Sequence, residues 1–174
     1  MVRGVLPGVR QVKDMTKLAS LLGSQYEGKR KGLFIRQFEL GGYNFKVRVP
    51  TVAESDAMYE RIQNPKEEDI ALVYDQIAKP LEQFKGQETE EFKFVDNDIL
   101  VNGRSMRETA KLKLMTQNRI TEFIKLLIPE NEADSLADLT YEEVEAEFPM
   151  TVQITLIEKI SEAISPTYKE SRGN

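Results

Sequence analysis

Three stretches of this chain carry side chains at spacings that chemistry could use. Gly23, Gly28 and Lys29 repeat the glycine and lysine spacing of a phosphate-binding loop, where backbone amides cradle phosphate, the lysine reaches the outer phosphates and a following hydroxyl holds magnesium. Arg30 stands where that hydroxyl must be, and a helix pattern precedes the segment where the motif requires a strand. Asp96, Asn97 and Asp98 could offer oxygen ligands to calcium, but the glycine and the distal bidentate glutamate of an EF-hand loop are missing. A tight turn is the better reading. Glu142, Glu143, Glu145 and Glu147 could pair for acid–base work, yet on so acidic a helix each carboxylate is expected to be solvated.

Composition removes most of the remaining chemistry. The 174 residues include no histidine, cysteine or tryptophan, so imidazole bases, thiol nucleophiles, thiolate metal sites and disulfides are all excluded. No catalytic residue, cofactor or metal site is expected, and the chain reads as a binding or assembly protein. The length suits one domain with its own core. With 40% hydrophobic and 30% charged residues the composition is globular, and no apolar run approaches the roughly 20 residues that span a bilayer. The start, MVRGVLPGVRQVK, lacks a continuous apolar stretch and a small-residue cleavage site, which points to a cytoplasmic protein.

The elements follow from periodicity and punctuation. Residues 1–31 read as a basic arm, irregular over Met1–Val12, followed by a short helix over Asp14–Leu22 with Met15, Leu18, Leu21 and Leu22 on one side and Gly23 as its stop; Ser24–Lys31 reads as a basic loop. Residues 32–166 read as an α+β, helix-rich domain with a small antiparallel β-hairpin packed against the helices. In the hairpin Phe38 and Leu40, then Tyr43, Phe45, Val47 and Val49, alternate with polar residues around Gly41-Gly42. Pro50 ends the second strand, and Thr51 with Glu54 makes a capping box for a helix ending near Gln63. Asn64-Pro65 then suits the start of a third helix, with Ile70, Val73, Tyr74, Ile77 and Leu81 as its apolar stripe and Pro80 as a break. Phe92–Val101 reads as a second short hairpin, and Ser105 with Glu108 as a second capping box. On the helix expected over Met106–Ile128, Arg107, Lys111, Asn118, Glu122 and Lys125 gather on one narrow face, so this helix should be the packed centre. Thr140 with Glu143 starts a helix through Phe148, and Pro149 restarts it as Met150–Ile164, stopped by Pro166. Residues 167–174 read as a disordered polar tail.

Charge is unevenly placed. Arg3, Arg10, Lys13, Lys17, Lys29, Arg30 and Lys31 face only Asp14 and Glu27 in the first 31 residues, whereas eleven acids face two lysines between Glu130 and Glu170. Such a surface is a poor match for nucleic acid, and no nucleic-acid or membrane partner is expected. Attraction between the two ends, within one fold or between subunits, explains the asymmetry better than phosphate binding. Along Met150–Ile164 the residues Val152, Leu156, Ile157, Ile160, Ala163 and Ile164 form a wide apolar stripe with Ile154 outside it. Most of that arc should face a core, and its excess could face a partner.

The segments FELGGYNFKVRVPTVAESDAMYERI, NGRSMRETAKLKLMTQNRITEFIKLL and FPMTVQITLIEKISEAISP resemble, by order of elements over Gly32–Pro166, the small tail assembly chaperones of long-tailed bacteriophages. The resemblance implies a non-enzymatic chaperone in the host cytoplasm that covers the tape measure protein, with the tail tube protein as a further partner. It also implies a homo-oligomer. Phe148, Met150, Ile154, Leu156 and Ile157 are then the expected partner contacts, and Lys29, Arg30 and Lys31 the expected self-association contacts with the acidic region of a neighbouring subunit. The competing expectation is a structural virion component, such as a tail or head-tail connector protein.

Overall fold

The computed structural model describes residues 16–165. The arm expected over Met1–Val12, Asp14 and Met15 of the first expected helix, the stop at Pro166 and the polar tail lie outside the described residues. The chain divides into two compact units between Ile35 and Arg36.

In the first unit three short helices follow one another: α1 (Lys17–Leu22), α2 (Ser24–Lys29) and α3 (Lys31–Phe34). Thr16 caps α1 by accepting from the Ala19 amide, and Gly23 leaves the helix at φ 86°, a conformation open to glycine. The stretch expected as a basic loop is therefore helical. The alternation of polar and small residues there hides a helix, because no long apolar stripe marks it.

The second unit is α+β, with the hairpin packed against helices. Strands β1 (Ile35–Leu40) and β2 (Tyr43–Arg48) join through Gly41-Gly42 at φ 62° and 81°, the left-handed pair that suits a two-residue hairpin turn. Phe38 stacks on Phe45 at 5.3 Å between ring centroids, and Val47 is fully buried. The Arg48 amide donates to Leu126 O at 2.9 Å and the Ile128 amide to Lys46 O at 2.8 Å, which ties β2 to the segment after the central helix. That pairing corrects the expected end of the helix, which stops at Ile124. Residues 126–128 lend their backbone groups to β2, and Pro129 disfavours helical geometry in the residue before it.

Helix α4 (Val52–Gln63) begins with the complete Thr51–Glu54 capping box. Asn64 closes α4 where it was expected to open the next helix: its amide donates to Glu60 O at 3.0 Å and its side chain to Glu60 Oε1 at 2.8 Å. Helix α5 (Glu67–Ala78) gives way at Pro80 to a 3-10 helix over Lys79–Phe84. Strands β3 (Phe92–Val95), β4 (Asp98–Val101) and β5 (Arg104–Ser105) form a separate antiparallel meander. Its turns place Asn97 and Asn102 at φ 60° and 50°, positions that asparagine tolerates better than most residues.

Helix α6 (Met106–Ile124) packs against α4, α5, α7 (Tyr141–Glu147) and α8 (Met150–Ile164). The core gathers Val47, Met58, Ile62, Phe123, Val144, Leu156 and Ile160 from five of these elements. The start of α6 is pinned from outside. Asp98 Oδ1 accepts from the Arg107 amide at 3.0 Å, Ser105 Oγ donates to Asp98 Oδ2, and the Glu108 amide donates back to Ser105 Oγ at 3.0 Å. Asp98 thus takes much of the role that the sequence assigns to Glu108.

The narrow polar face of α6 turns inward. Arg107 lies over the Tyr74 ring at 4.9 Å, Asn118 Nδ2 donates to Arg61 O at 3.3 Å, and buried Glu122 accepts from Arg61 and Lys125 at 2.7 and 3.2 Å. Burial pushes the Glu122 carboxyl up, but the hydrogen bonds from Arg61 and Lys125 outweigh it and hold the group below its ordinary value of 4.5. Its stabilising contribution is thus complete above pH 4.5 and lost as pH falls through the lowered folded-state value. Because the Arg61 side chain is largely exposed, solvent screens its share. Glu122→Gln is expected to cost about 1–2 kcal/mol at neutral pH and to flatten the acid limb of a melting-temperature profile. A limb with the wild-type slope would refute the assignment.

Candidate functional site

Helix α8 owes its start to Pro149, whose fixed φ directs the chain out of α7, and its position to Gln153. That buried amide accepts from the Tyr141 hydroxyl at 3.1 Å and donates to Phe148 O at 2.8 Å, which satisfies both of its ends and ties the two helices together. With Gln153, Leu156 and Ile160 facing the core, the adjoining edge of the helix is set. Met150, Ile154, Ile157 and Ile164, four, three and seven positions apart, fall on that edge as one stripe about 20 Å long.

The stripe is wet at one end and recessed at the other. Met150 and Ile154 are 52% and 49% exposed, whereas Ile157 and Ile164 are half-buried against the core. Ile164 lines an open hollow of about 210 Å³ with Val52, Met58 and Tyr59 of α4. Val52 and Tyr59 are themselves exposed and adjoin the Ile164 end of the stripe. Asp56 on α4 lines the hollow, Glu158 and Glu162 are exposed on α8 itself, and Glu145 and Glu147 are exposed on the preceding α7.

The five expected partner contacts therefore separate. Met150 and Ile154 are available, Phe148 and Ile157 are half-buried, and Leu156 is removed by complete burial, at 0% exposure. A side chain in the packed centre cannot meet a partner without unfolding its helix. Of the self-association residues, Lys29 and Lys31 are exposed, while Arg30 is half-buried with its guanidinium 6.0 Å from the centroid of the Phe34 ring. Sequence reasoning missed Val52 and Tyr59. Their signal was the polar spacing of α4, which is too weak to cover both.

A second hollow, of about 470 Å³, opens beside Tyr74, Glu82, Lys85, Phe94 and Asp98. Burial, with Asp98 nearby, pushes the Tyr74 phenol up, while Arg107 opposes. Burial also raises Asp98, but its bonds from Ser105, Arg107 and Ile99 prevail and hold it below the usual range. A proton-retaining phenol beside a carboxylate already spent on the start of α6 makes a structural joint. The glycine–lysine spacing at Gly23–Lys29 lies on α2, which follows helix α1 and not the strand that a phosphate-binding loop requires. Among the described residues no cluster of three acidic side chains is placed to hold a metal, and no helix is long and apolar enough to cross a membrane.

Comparison with family models, curated proteins and solved structures gives no match.

Proposed function

We propose that this protein is a non-enzymatic phage tail assembly chaperone that covers apolar helical stripes of the tape measure protein while the tail tube is built in the host cytoplasm. The observation that carries this reading is the apolar stripe of α8, exposed at Met150 and Ile154, whose far end at Ile164 lines a hollow with Val52 and Tyr59. A stripe of this length matches an amphipathic helix laid along it, with anchors at every third or fourth residue. Asp56 beside the hollow and Glu158 and Glu162 on the same helix favour a partner helix whose apolar stripe is flanked by lysine or arginine. Tape measure proteins are long and helical, and their stripes would aggregate before the tube encloses them. The tail tube protein is a further partner on this reading.

Co-expression with the tape measure protein encoded nearby, followed by size-exclusion chromatography with light scattering, tests it. The expected result is a stable complex that keeps an otherwise insoluble partner in solution. Met150→Glu with Ile154→Glu should weaken that complex at least about tenfold, since each charge would be pressed against apolar surface. A partner that precipitates alone, together with this protein in finished particles at a fixed copy number, would overturn the reading in favour of a connector.

A further inference from the structure

We propose that the hollow between α4 and the end of α8 is a socket for an arginine side chain of the partner helix, which makes Asp56 the residue that selects that helix. At about 210 Å³ the hollow is smaller than the roughly 300–1,000 Å³ of a small-molecule pocket, so it fits a single side chain carried by something larger. Its wall offers the two chemistries that a long cationic side chain combines. Val52, Met58, Tyr59 and Ile164 give apolar surface to the stem. Asp56 gives a carboxylate to the head, and the Ser55 and Ser165 hydroxyls line the same hollow.

Charge decides the occupant. Asp56 is the one charged residue among the described residues that line the hollow, it is exposed, and it forms no ion pair or hydrogen bond with any described residue. Arg48, next to the hollow in sequence, is already held by Glu54 at 2.8 Å. The Asp56 carboxylate is therefore open to a cation from outside. Arginine suits it better than lysine: a planar guanidinium meets both carboxylate oxygens with parallel hydrogen bonds, stacks on a ring such as that of Tyr59, and is the more weakly hydrated of the two cations. Continuity with the α8 stripe points to a helix as the carrier. Ile164 follows Ile154 by ten positions, about 15 Å of helix, so a helix lying along α8 with one side chain on Ile154 brings another to the hollow ten positions away. This step rests on the reading of the stripe as a helix-binding surface.

Calorimetry of the full chain with synthetic helical peptides tests the socket. Each peptide carries a leucine stripe and, ten positions from the leucine meant for Ile154, either arginine, lysine or citrulline, which keeps the shape of arginine without its charge. The arginine peptide should bind about fivefold more tightly than the citrulline peptide, the size of an exposed ion pair, with the lysine peptide between them. Asp56→Asn should weaken the arginine peptide by the same factor and leave the citrulline peptide unchanged. An arginine peptide no tighter than the lysine or citrulline peptide, or an Asp56→Asn loss as large with citrulline, would overturn the proposal. Tighter binding of the arginine peptide by Arg172→Gln would also overturn it, since the hollow would then belong to this chain's own arginine. Failure here is distinguishable from failure of the chaperone reading. If the peptides behave as expected and no tape measure protein is captured, that reading falls and the socket stands. If Met150→Glu with Ile154→Glu abolishes capture while the three peptides bind alike, the socket falls and the chaperone reading stands.

Discussion

Leu156→Ala is expected to lower the unfolding free energy by about 2–5 kcal/mol, whereas Ile154→Ala, two positions away on the same helix, should stay within about 0.5 kcal/mol. The difference lies wholly in packing. Leu156 is completely buried among Val47, Phe123, Val144 and Ile160, and its truncation leaves a cavity that the surrounding helices cannot fill. Half of the Ile154 surface already meets solvent, and alanine is the better helix former. For a chain of this size the Leu156 variant should melt on the order of 10 °C lower. Urea titration of the three proteins side by side checks the contrast, and equal losses at the two positions would contradict the burial of α8. The Ile154 variant should keep its fold while its grip on a helical partner weakens, which separates stability from binding on one helix.

Phe123→Ala should remove about 3–5 kcal/mol, a large fraction of the 5–15 kcal/mol that holds a typical domain together. The ring sits at 1% exposure in the centre of the core, with the Tyr59 ring edge-on at 6.5 Å and the Arg119 guanidinium 4.9 Å from its centroid. Its loss would leave a void bordered by elements distant in sequence, including β2, α4 and α8. A thermal melt followed by circular dichroism should show an early, less cooperative transition. Phe123→Leu, which fills most of the volume, should recover the greater part of the lost stability. If both variants melt alike, the ring is not packed as described.

Much of the secondary structure was legible because its signals are local. Thr51 and Glu54, and Thr140 and Glu143, form their capping boxes across three residues, so tertiary structure has little power to change them. The glycine pair of the first hairpin and Pro80 acted in the same way. Errors fell where a residue had two possible local roles or a distant claimant. Asn64 could close α4 or open α5, and its bonds to Glu60 decided for closure. Residues 126–128 continue the helical pattern of α6, but β2, some 80 positions earlier, takes their backbone groups.

The candidate site was legible only in part. The width of the α8 stripe announced more apolar surface than one core face needs, and Ile154 stood outside it. Leu156 was grouped with the exposed residues because periodicity says which side chains share a face and not which part of that face is covered.

The amino-acid sequence by itself determined the absence of imidazole and thiol chemistry, the α+β composition, the main turns and caps, and the opposite charge of the two ends. These depend on residue identity or on neighbours a few positions apart. Only the tertiary structure decided that the strands form two separate sheets, that Glu122 meets Arg61 across 61 positions, and that α8 leaves Met150 and Ile154 open while burying Leu156 and Gln153. Burial is a property of the neighbours that a fold brings together, and a helix with apolar residues over more than half its circumference can present several arcs to its core until the packing of α4, α6 and α7 selects one.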